Sequence, residues 1–132
     1  MQLKEIDQLK EEIKQILTAN KAIDVMMKTK GCFYIRLGKL PKIKLNEKIS
    51  NFKLGNPIKI CTGKDVTIIC HGNIIENVLE TSLNLKSRGI TSTVFAYLNI
   101  KPINGNFLFK NLNLNSKILC IEEHSEIGGL GS

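Results

Sequence analysis

The sequence contains no tryptophan, and aromatic residues make up only 5% of its 132 positions. It also has only two arginines, Arg36 and Arg88. Nucleic-acid recognition relies on aromatic rings that stack on bases and on arginines that pair with guanine or phosphate, so this partner is disfavoured. The net charge is nevertheless +7, and all of the excess lies in residues 31–64, where eight basic residues face Glu47 alone. We interpret this basic segment as a solvated connector, with binding of a phosphorylated small molecule as the alternative.

Long apolar runs are also missing. No stretch approaches the ~18 apolar residues that a membrane-spanning helix requires. The first five residues are amphipathic, whereas a signal peptide needs a continuous apolar stretch. We therefore predict a soluble, cytoplasmic protein with no membrane partner.

The four cysteines include no Cys-x-x-Cys pair of the kind that binds zinc or performs redox chemistry. Each lies beside apolar residues in a segment that is typical of a strand. This pattern predicts buried, reduced thiols rather than disulfides or metal ligands.

The first half of the chain shows two patterns. Apolar residues recur at helical spacing over residues 3–19, which predicts an amphipathic helix whose apolar stripe needs a partner. Gly31 then precedes a segment rich in β-branched and aromatic residues, and we predict a strand over residues 32–37. Residues 42–57 have little periodicity and are predicted to be a linker.

From residue 58 onward, strand and helix patterns alternate. Strands are predicted over residues 58–61, 66–70, 90–98 and 118–121, the second and last of them buried. The helix between the second and third strands is predicted to have Asn73 as its N-cap and to end at Gly89. A weaker helix is predicted around Phe107 and Leu108. This alternation is typical of an α/β domain with a mostly parallel sheet.

The second half contains four segments that together form a recognisable pattern: Gly63-Lys64-Asp65-Val66-Thr67-Ile68-Ile69, Lys86-Ser87-Arg88-Gly89-Ile90, Ile100-Lys101-Pro102-Ile103, and Glu122-Glu123-His124-Ser125 with Gly128-Gly129-Leu130-Gly131-Ser132. In this order, they resemble the C-terminal domain shared by transketolases and their relatives. Residues 31–39 are similar to the final strand of the pyrimidine-binding domain of that family. The terminal motif is most like that of transketolases made as two separate polypeptides.

The resemblance implies a three-layer α/β/α fold with a mostly parallel sheet. It also implies that residues 1–41 are the end of a pyrimidine-binding domain, residues 42–57 a linker, and residues 58–132 a C-terminal-like domain. In the family, a further helix and strand follow the glycine-rich turn. We therefore expect a truncated domain whose sheet is incomplete at its C-terminal edge.

The implied activity is transfer of two-carbon ketol units between sugar phosphates, with thiamine diphosphate and magnesium as cofactors. The family binds these cofactors through a Gly-Asp-Gly motif that is absent from this sequence. The activating glutamate belongs to an earlier part of the pyrimidine domain. We therefore expect no catalytic, cofactor-binding or metal-binding residue here, and a chain that is inactive alone and serves as scaffold and subunit interface. Its implied partner is a missing thiamine-binding subunit or domain in a homo- or hetero-oligomer.

Two alternatives stay open. The same fold can serve a non-enzymatic interaction module, because fold does not determine function. The chain can also be part of a deoxyxylulose-phosphate synthase or of the beta subunit of a 2-oxo-acid dehydrogenase.

The resemblance also suggests functional positions. Lys39 aligns with an arginine that binds the substrate phosphate in transketolases, and Arg36 lies on the same predicted strand. Glu122, Glu123 and His124 are expected to form a polar network that contacts a neighbouring domain or subunit, with Glu122 and His124 on one face. The amides of Gly128–Gly131 are expected either to bind an anion or to form a tightly packed turn.

Overall fold

The computed structural model describes residue 20 and residues 22–36, 53–113 and 117–132. The predicted helix over residues 3–19 lies outside this part of the chain. Residues 22–28 are helical. The predicted strand over residues 32–37 is wrong for residues 32–36, which belong to neither helix nor strand and are exposed. A strand needs a neighbour to exchange backbone hydrogen bonds, and no strand of the described sheet pairs with this segment.

A four-stranded sheet organises the second half of the chain. Its strands are β1 (Ile58–Cys61), β2 (Val66–His71), β3 (Ser92–Tyr97) and β4 (Lys117–Ile121), in the order β1-β3-β2-β4. β2 pairs in parallel with both β3 and β4, whereas β1 pairs antiparallel with β3. The predicted mostly parallel sheet is confirmed.

One helix packs on each face of the sheet. Helix α1 (Ile75–Ser87) places Ile75 and Val78 against a buried cluster that includes Ile68, Cys70 and Val94. Successive residues of a strand point to opposite faces, so Ile69 and Tyr97 lie on the other side. There they contact Leu108 of α2 (Gly105–Asn111) and Leu130. The predicted α/β fold with helices on both faces is confirmed.

The ends of α1 fit the sequence prediction at one terminus only. Asn73 does not cap the helix, because Gly72–Ile74 form a 3-10 turn that contains it and no side chain caps the following α-helix. At the other end, Gly89 has a φ of +80° and donates its N–H to Lys86, while the Ile90 N–H reaches Leu85. This pair of bonds is the Schellman motif, for which glycine is preferred.

The end of the predicted linker packs against the domain. Gly55 and Pro57 are buried. The Gly55 carbonyl accepts a hydrogen bond from the Asn104 N–H at 2.8 Å, and the Gly55 N–H donates to Asn99 Oδ1 at 3.2 Å. Asn104 also caps α2, since its side-chain oxygen accepts from the Phe107 N–H at 3.0 Å. These bonds tie the chain before β1 to the start of α2.

The prediction that the last strand is buried is wrong. Residues 117–120 of β4 are exposed, with Ile118 at 47% and Leu119 at 49%. The cause is position, because β4 lies at an edge of the described sheet and pairs only with β2. An apolar run is typical of a central strand but does not determine the order of the strands.

Candidate functional site

Two strands of the sheet end in polar residues at its carboxyl edge, and a third polar residue follows the end of β4. β2 ends at His71 and β3 at Tyr97, and these two residues are register partners. β4 ends at Ile121, which pairs with Cys70, so Glu122 follows beside His71. The connection after β2 leads to β3 on one side of it, and the connection after β3 crosses to β4 on the other side of β2. Doubly wound sheets bind ligands where such connections diverge, so this edge is where the fold favours a site.

The Glu122 carboxylate binds the glycine-rich loop of its own chain. Its two oxygens accept hydrogen bonds from the Leu130 N–H at 2.8 Å and the Gly131 N–H at 2.9 Å. A Cβ at Gly129 would collide with this carboxylate, which explains the glycine there. The amides of Gly131 and Leu130 lower the pKa of Glu122, and the imidazoles of His124 and His71 add smaller effects. These amides are therefore already occupied by an internal anion.

The loop that Glu122 holds also closes part of the core. Leu130 is only 9% exposed and packs against Ile69 and Tyr97. Ser132 Oγ accepts from the Gly128 N–H at 3.0 Å and donates to the Glu126 carbonyl at 2.7 Å. Of the two expectations for Gly128–Gly131, the tightly packed turn is the one that the structure bears out.

His71 and His124 have different surroundings. The His71 Nδ1 lies 2.9 Å from the Tyr97 carbonyl oxygen. Because a carbonyl only accepts, Nδ1 carries the proton in this contact. His71 thus joins β2 to β3, as expected of a structural residue. His124 is exposed, and its Nδ1 lies 3.1 Å from the Ser125 carbonyl oxygen.

The predicted polar triplet does not lie on one strand. Glu122, Glu123 and His124 follow the end of β4, and residues 123–124 form a bend. Glu122 bonds to the loop, while Glu123 and His124 are exposed. A role of the triplet at an interface stays a prediction.

The Gly63-Lys64-Asp65 motif lies at the opposite end of the strands, directly before β2 begins. Asp65 Oδ2 accepts from both the N–H and the hydroxyl of Thr91, each at 2.6 Å. These bonds lower the pKa of Asp65. Gly63 donates its N–H to Thr93 Oγ1 at 2.9 Å, and a Cβ on it would collide with the backbone of Ser92. The motif fixes the start of β2 against the start of β3.

The described structure includes only one of the two residues predicted to bind the substrate phosphate. Arg36 is exposed and lies in neither helix nor strand. Lys39 lies outside the described residues. Their shared role stays a prediction.

The described residues do not fit a magnesium diphosphate site. No group of three or more histidine, cysteine, aspartate or glutamate side chains in residues 53–113 and 117–132 could hold a metal ion. The best-placed carboxylate, Glu122, is engaged by Leu130 and Gly131. Magnesium also needs near-octahedral oxygen coordination, which one engaged carboxylate cannot supply.

The four cysteines are free thiols, as predicted, but they are not all buried. Cys70 is fully buried, and burial raises its pKa to about 12. Cys61 is half-buried and lies 3.4 Å from the Ser92 carbonyl oxygen. The prediction is wrong for Cys32 and Cys120, which are exposed. A nucleophilic thiol needs a lowered pKa, so Cys70 is structural.

No helix of the described residues is long and apolar enough to cross a membrane.

Comparisons with known proteins cover the same region. Residues 55–132 match the model of the transketolase C-terminal domain. The chain is 32% identical over 101 residues to one of the subunits of an apulose-4-phosphate transketolase, from Phocaeicola vulgatus, covering 75% of this chain and 32% of the relative. It is 32% identical over 104 residues to a putative transketolase C-terminal section of Methanocaldococcus jannaschii, covering 77% and 32%.

A third relative and a solved structure extend the comparison. The chain is 32% identical over 90 residues to 1-deoxy-D-xylulose-5-phosphate synthase of Halothermothrix orenii, covering 68% of this chain and 14% of that protein. A split-gene transketolase, described as an inactive beta4 tetramer, superimposes with a TM-score of 0.56 at 36% identity. That match covers 61% of this chain and 26% of the other. The chain therefore spans a third or less of each relative. Both its sequence and its fold match this family, and the chain belongs to the transketolase C-terminal domain family.

Proposed function

We propose that this chain is a fragment or subunit of a transketolase-like enzyme that transfers two-carbon ketol units between sugar phosphates. By itself it serves as scaffold and subunit interface and is inactive. Thiamine diphosphate and magnesium, held by another subunit or domain, would supply the carbanion chemistry. The partner completes the enzyme in a homo- or hetero-oligomer.

This proposal rests mainly on the observation that residues of the family motifs form hydrogen bonds within their own domain. Gly63 and Asp65 join two strands of the sheet, and Glu122 holds the glycine-rich loop. All of these hydrogen bonds have both partners within the domain. A domain whose characteristic residues bond internally supports a partner's site rather than forming one of its own.

The test is recovery of the complete enzyme. The tagged chain is purified from its source cells, and the eluate is assayed for ketol transfer from a ketose phosphate to an aldose phosphate. We expect turnover that requires thiamine diphosphate and magnesium, together with a co-purifying polypeptide that contains Gly-Asp-Gly. The purified chain alone should give no turnover. Turnover by the chain alone would contradict the proposal.

Arg36, with Lys39, is proposed to bind the phosphate of the substrate. A bidentate guanidinium pairs well with phosphate, whereas a lysine supplies charge without the fork. In the recovered enzyme, Arg36→Ala should raise the KM for the sugar phosphate about tenfold, with a smaller change in kcat. Lys30→Ala, which removes an exposed charge from the same region, is the matched control. Equal effects of the two variants would rule out the assignment.

A non-enzymatic interaction module is the second candidate. Exposed apolar side chains favour it, including Met27 at 82%, Tyr34 at 89% and Ile127 at 86%. This candidate predicts that the eluate contains a partner without Gly-Asp-Gly and shows no thiamine-dependent turnover.

A further inference from the structure

Asn104, at the start of α2, is the only asparagine of the sequence that is followed by glycine. The side-chain amide of an asparagine can be attacked by the backbone nitrogen of the next residue. Glycine allows this attack most readily, because it has no Cβ to obstruct the approach. Asn104 is also exposed, so water and hydroxide reach it. The two requirements for spontaneous deamidation, an accessible amide and an unhindered nitrogen, therefore coincide at this residue.

The backbone of Asn104 holds the reacting atoms apart in the folded domain. Attack closes a five-membered ring, which requires the Gly105 nitrogen and the Asn104 Cβ to be eclipsed about the Cα–C bond. At the Asn104 ψ of 86° these two atoms lie on nearly opposite sides of that bond. The Gly105 N–H also donates to the Ile103 carbonyl at 3.2 Å, as in an inverse γ-turn. The backbone must rotate and break this bond before the nitrogen can attack.

The side chain of Asn104 opposes the same rotation. Its Oδ1 accepts from the Phe107 N–H at 3.0 Å, and its Nδ2 donates to Asn56 Oδ1 at 2.9 Å. The Asn104 N–H donates to the Gly55 carbonyl at 2.8 Å. The amide is therefore held at both of its ends, once by the helix and once by the chain that precedes β1.

We propose that Asn104 is a site of spontaneous deamidation and that the folded domain sets its rate. Hydroxide removes the Gly105 amide proton, and the nitrogen forms a bond to Asn104 Cγ. The Cγ–Nδ2 bond then breaks, and the leaving amide takes a proton from water and departs as ammonia. Water opens the resulting cyclic imide at either carbonyl, which gives aspartate or isoaspartate. The net reaction replaces ammonia by water and transfers no electrons.

The two products have different effects on the start of α2. Aspartate keeps an oxygen that accepts from the Phe107 N–H, and its negative charge is favourable at the N-terminus of a helix. It loses only the amide donor to Asn56. Isoaspartate moves the former side chain into the main chain and lengthens it by one atom, which displaces the cap. This product loosens residues 55–56 from α2 as the protein ages.

Mass spectrometry of peptides from the purified chain tests the site. At mildly alkaline pH, the peptide that contains Asn104 should gain the mass difference between NH₂ and OH. Fragment ions should place the change at Asn104 and not at Asn106, because the bulkier Phe107 follows Asn106. The reaction should be faster in guanidinium chloride, where no native hydrogen bond restrains Asn104. Equal rates with and without denaturant, or no conversion of the native chain, would overturn the proposal.

Variants of Asn56 test the restraint, with Asn56 as a positioning residue. Asn56→Ala removes the acceptor for Asn104 Nδ2, and loss of one ordinary hydrogen bond should raise the native rate about fivefold through a larger opened population. Asn56→Asp keeps an acceptor oxygen and should be no faster than the unaltered chain. Ser87→Ala removes an exposed hydrogen bond at the end of α1 and is the matched control, with an unchanged rate expected.

The same variants in guanidinium chloride separate the fold from local sequence. All of them should convert there at one common rate. An Asn56→Ala rate equal to that of the unaltered native chain would overturn the restraint, and so would a difference that persists in denaturant. Far-UV circular dichroism verifies that each variant is folded.

The effect of the products is measured on an aged sample. Isoaspartate is identified by labelling with an isoaspartate methyltransferase, and its fraction should rise as the urea midpoint of the sample falls. Asn104→Asp imitates the other product and should keep the midpoint of the fresh chain. A midpoint of Asn104→Asp as low as that of the aged sample would contradict the different roles of the two products.

Discussion

Glu122 connects the end of β4 to the glycine-rich loop through two backbone hydrogen bonds. Leu130 provides one of the two bonded amides, and its side chain packs in the core against Tyr97. The Glu122 carboxylate therefore fixes both the loop and the position of this buried side chain. Asp65 has a comparable structural role at the start of β2, because its carboxylate accepts hydrogen bonds from both the backbone N–H and the hydroxyl of Thr91. At the scale of single residues, Asp65 and Glu122 hold the structure of their own domain together.

Replacing Glu122 should therefore destabilise the domain. Glu122→Gln loses the charge and one of the two acceptors. Hydrogen bonds to a charged acceptor contribute about 1.5–3 kcal/mol, and solvent at this carboxylate reduces the loss to about 1 kcal/mol of the free energy of unfolding. Urea denaturation measures it. Glu123→Gln is the matched control and should leave the midpoint unchanged; a loss in both variants would contradict the assignment.

The same carboxylates predict a pH dependence of stability. The pKa of Glu122 lies below its ordinary value of 4.5 and that of Asp65 below 3.8. A group with a lowered pKa in the folded state stabilises the protein above its unfolded pKa, and this contribution is lost as the pH falls. Urea midpoints should therefore decrease below about pH 4.5, and less steeply for Glu122→Gln. An identical pH profile for both proteins would contradict this role of Glu122.

Gly63 should tolerate no side chain. Its Cβ would collide with the backbone of Ser92, which cannot rotate away. Gly63→Ala should therefore cost about 1–3 kcal/mol of the free energy of unfolding, as overpacking does elsewhere. Gly105→Ala is the matched control, since nothing lies within 4 Å of its Cβ position and alanine favours a helix. Equal thermal stability of the two variants would be the contrary result.

Among the elements, α2 depends most on one side chain. It has only seven residues, three of them glycine or asparagine, and such a short helix is marginal without help. Asn104 supplies the help, since it caps the helix and its amide also donates to Asn56 Oδ1 at 2.9 Å. The cap thus joins the start of α2 to the segment that precedes β1.

Removing this cap should weaken the α2 face of the sheet. Asn104→Ala should lower the free energy of unfolding by about 1 kcal/mol, the usual cost of an N-cap. Asn106→Ala, inside the same helix, should not lower it, because Asn106 is exposed and alanine is the better helix former. Thermal melts followed by circular dichroism compare the two. Loss of stability in Asn106→Ala alone would contradict the role of Asn104.

The helices and strands of the second half could be predicted from periodicity, but their burial and their neighbours in the sheet could not. β2 and the Gly89 terminus were predictable because a buried run and a C-terminal glycine act locally. The burial of β4 was not, because it depends on which strand lies at the edge. Asn73 carries the right residue type for a cap, but the 3-10 turn displaced the start of α1. The segment 32–36 has strand-forming residues without a described neighbour to pair with.

At the scale of the whole molecule, the family was identifiable because its motifs occur in order over residues 63–132. The position of Glu122 next to the motif glycines was visible in the sequence, but the bonds between them depend on how the loop turns back. Arg36 is exposed, and its role toward the substrate phosphate stays a prediction. The chain matches a third or less of the length of each of these relatives.

Calorimetric titration of thiamine diphosphate with magnesium tests the central claim most directly. The cofactor is titrated into the purified chain and into the complex recovered from its source cells. We expect no binding heat with the chain alone, because Glu122 and Asp65 bond to the backbone and no metal-binding group is present in the described part of the chain. We expect saturable, magnesium-dependent binding to the complex. Tight magnesium-dependent binding to the chain alone would contradict the role of a supporting domain.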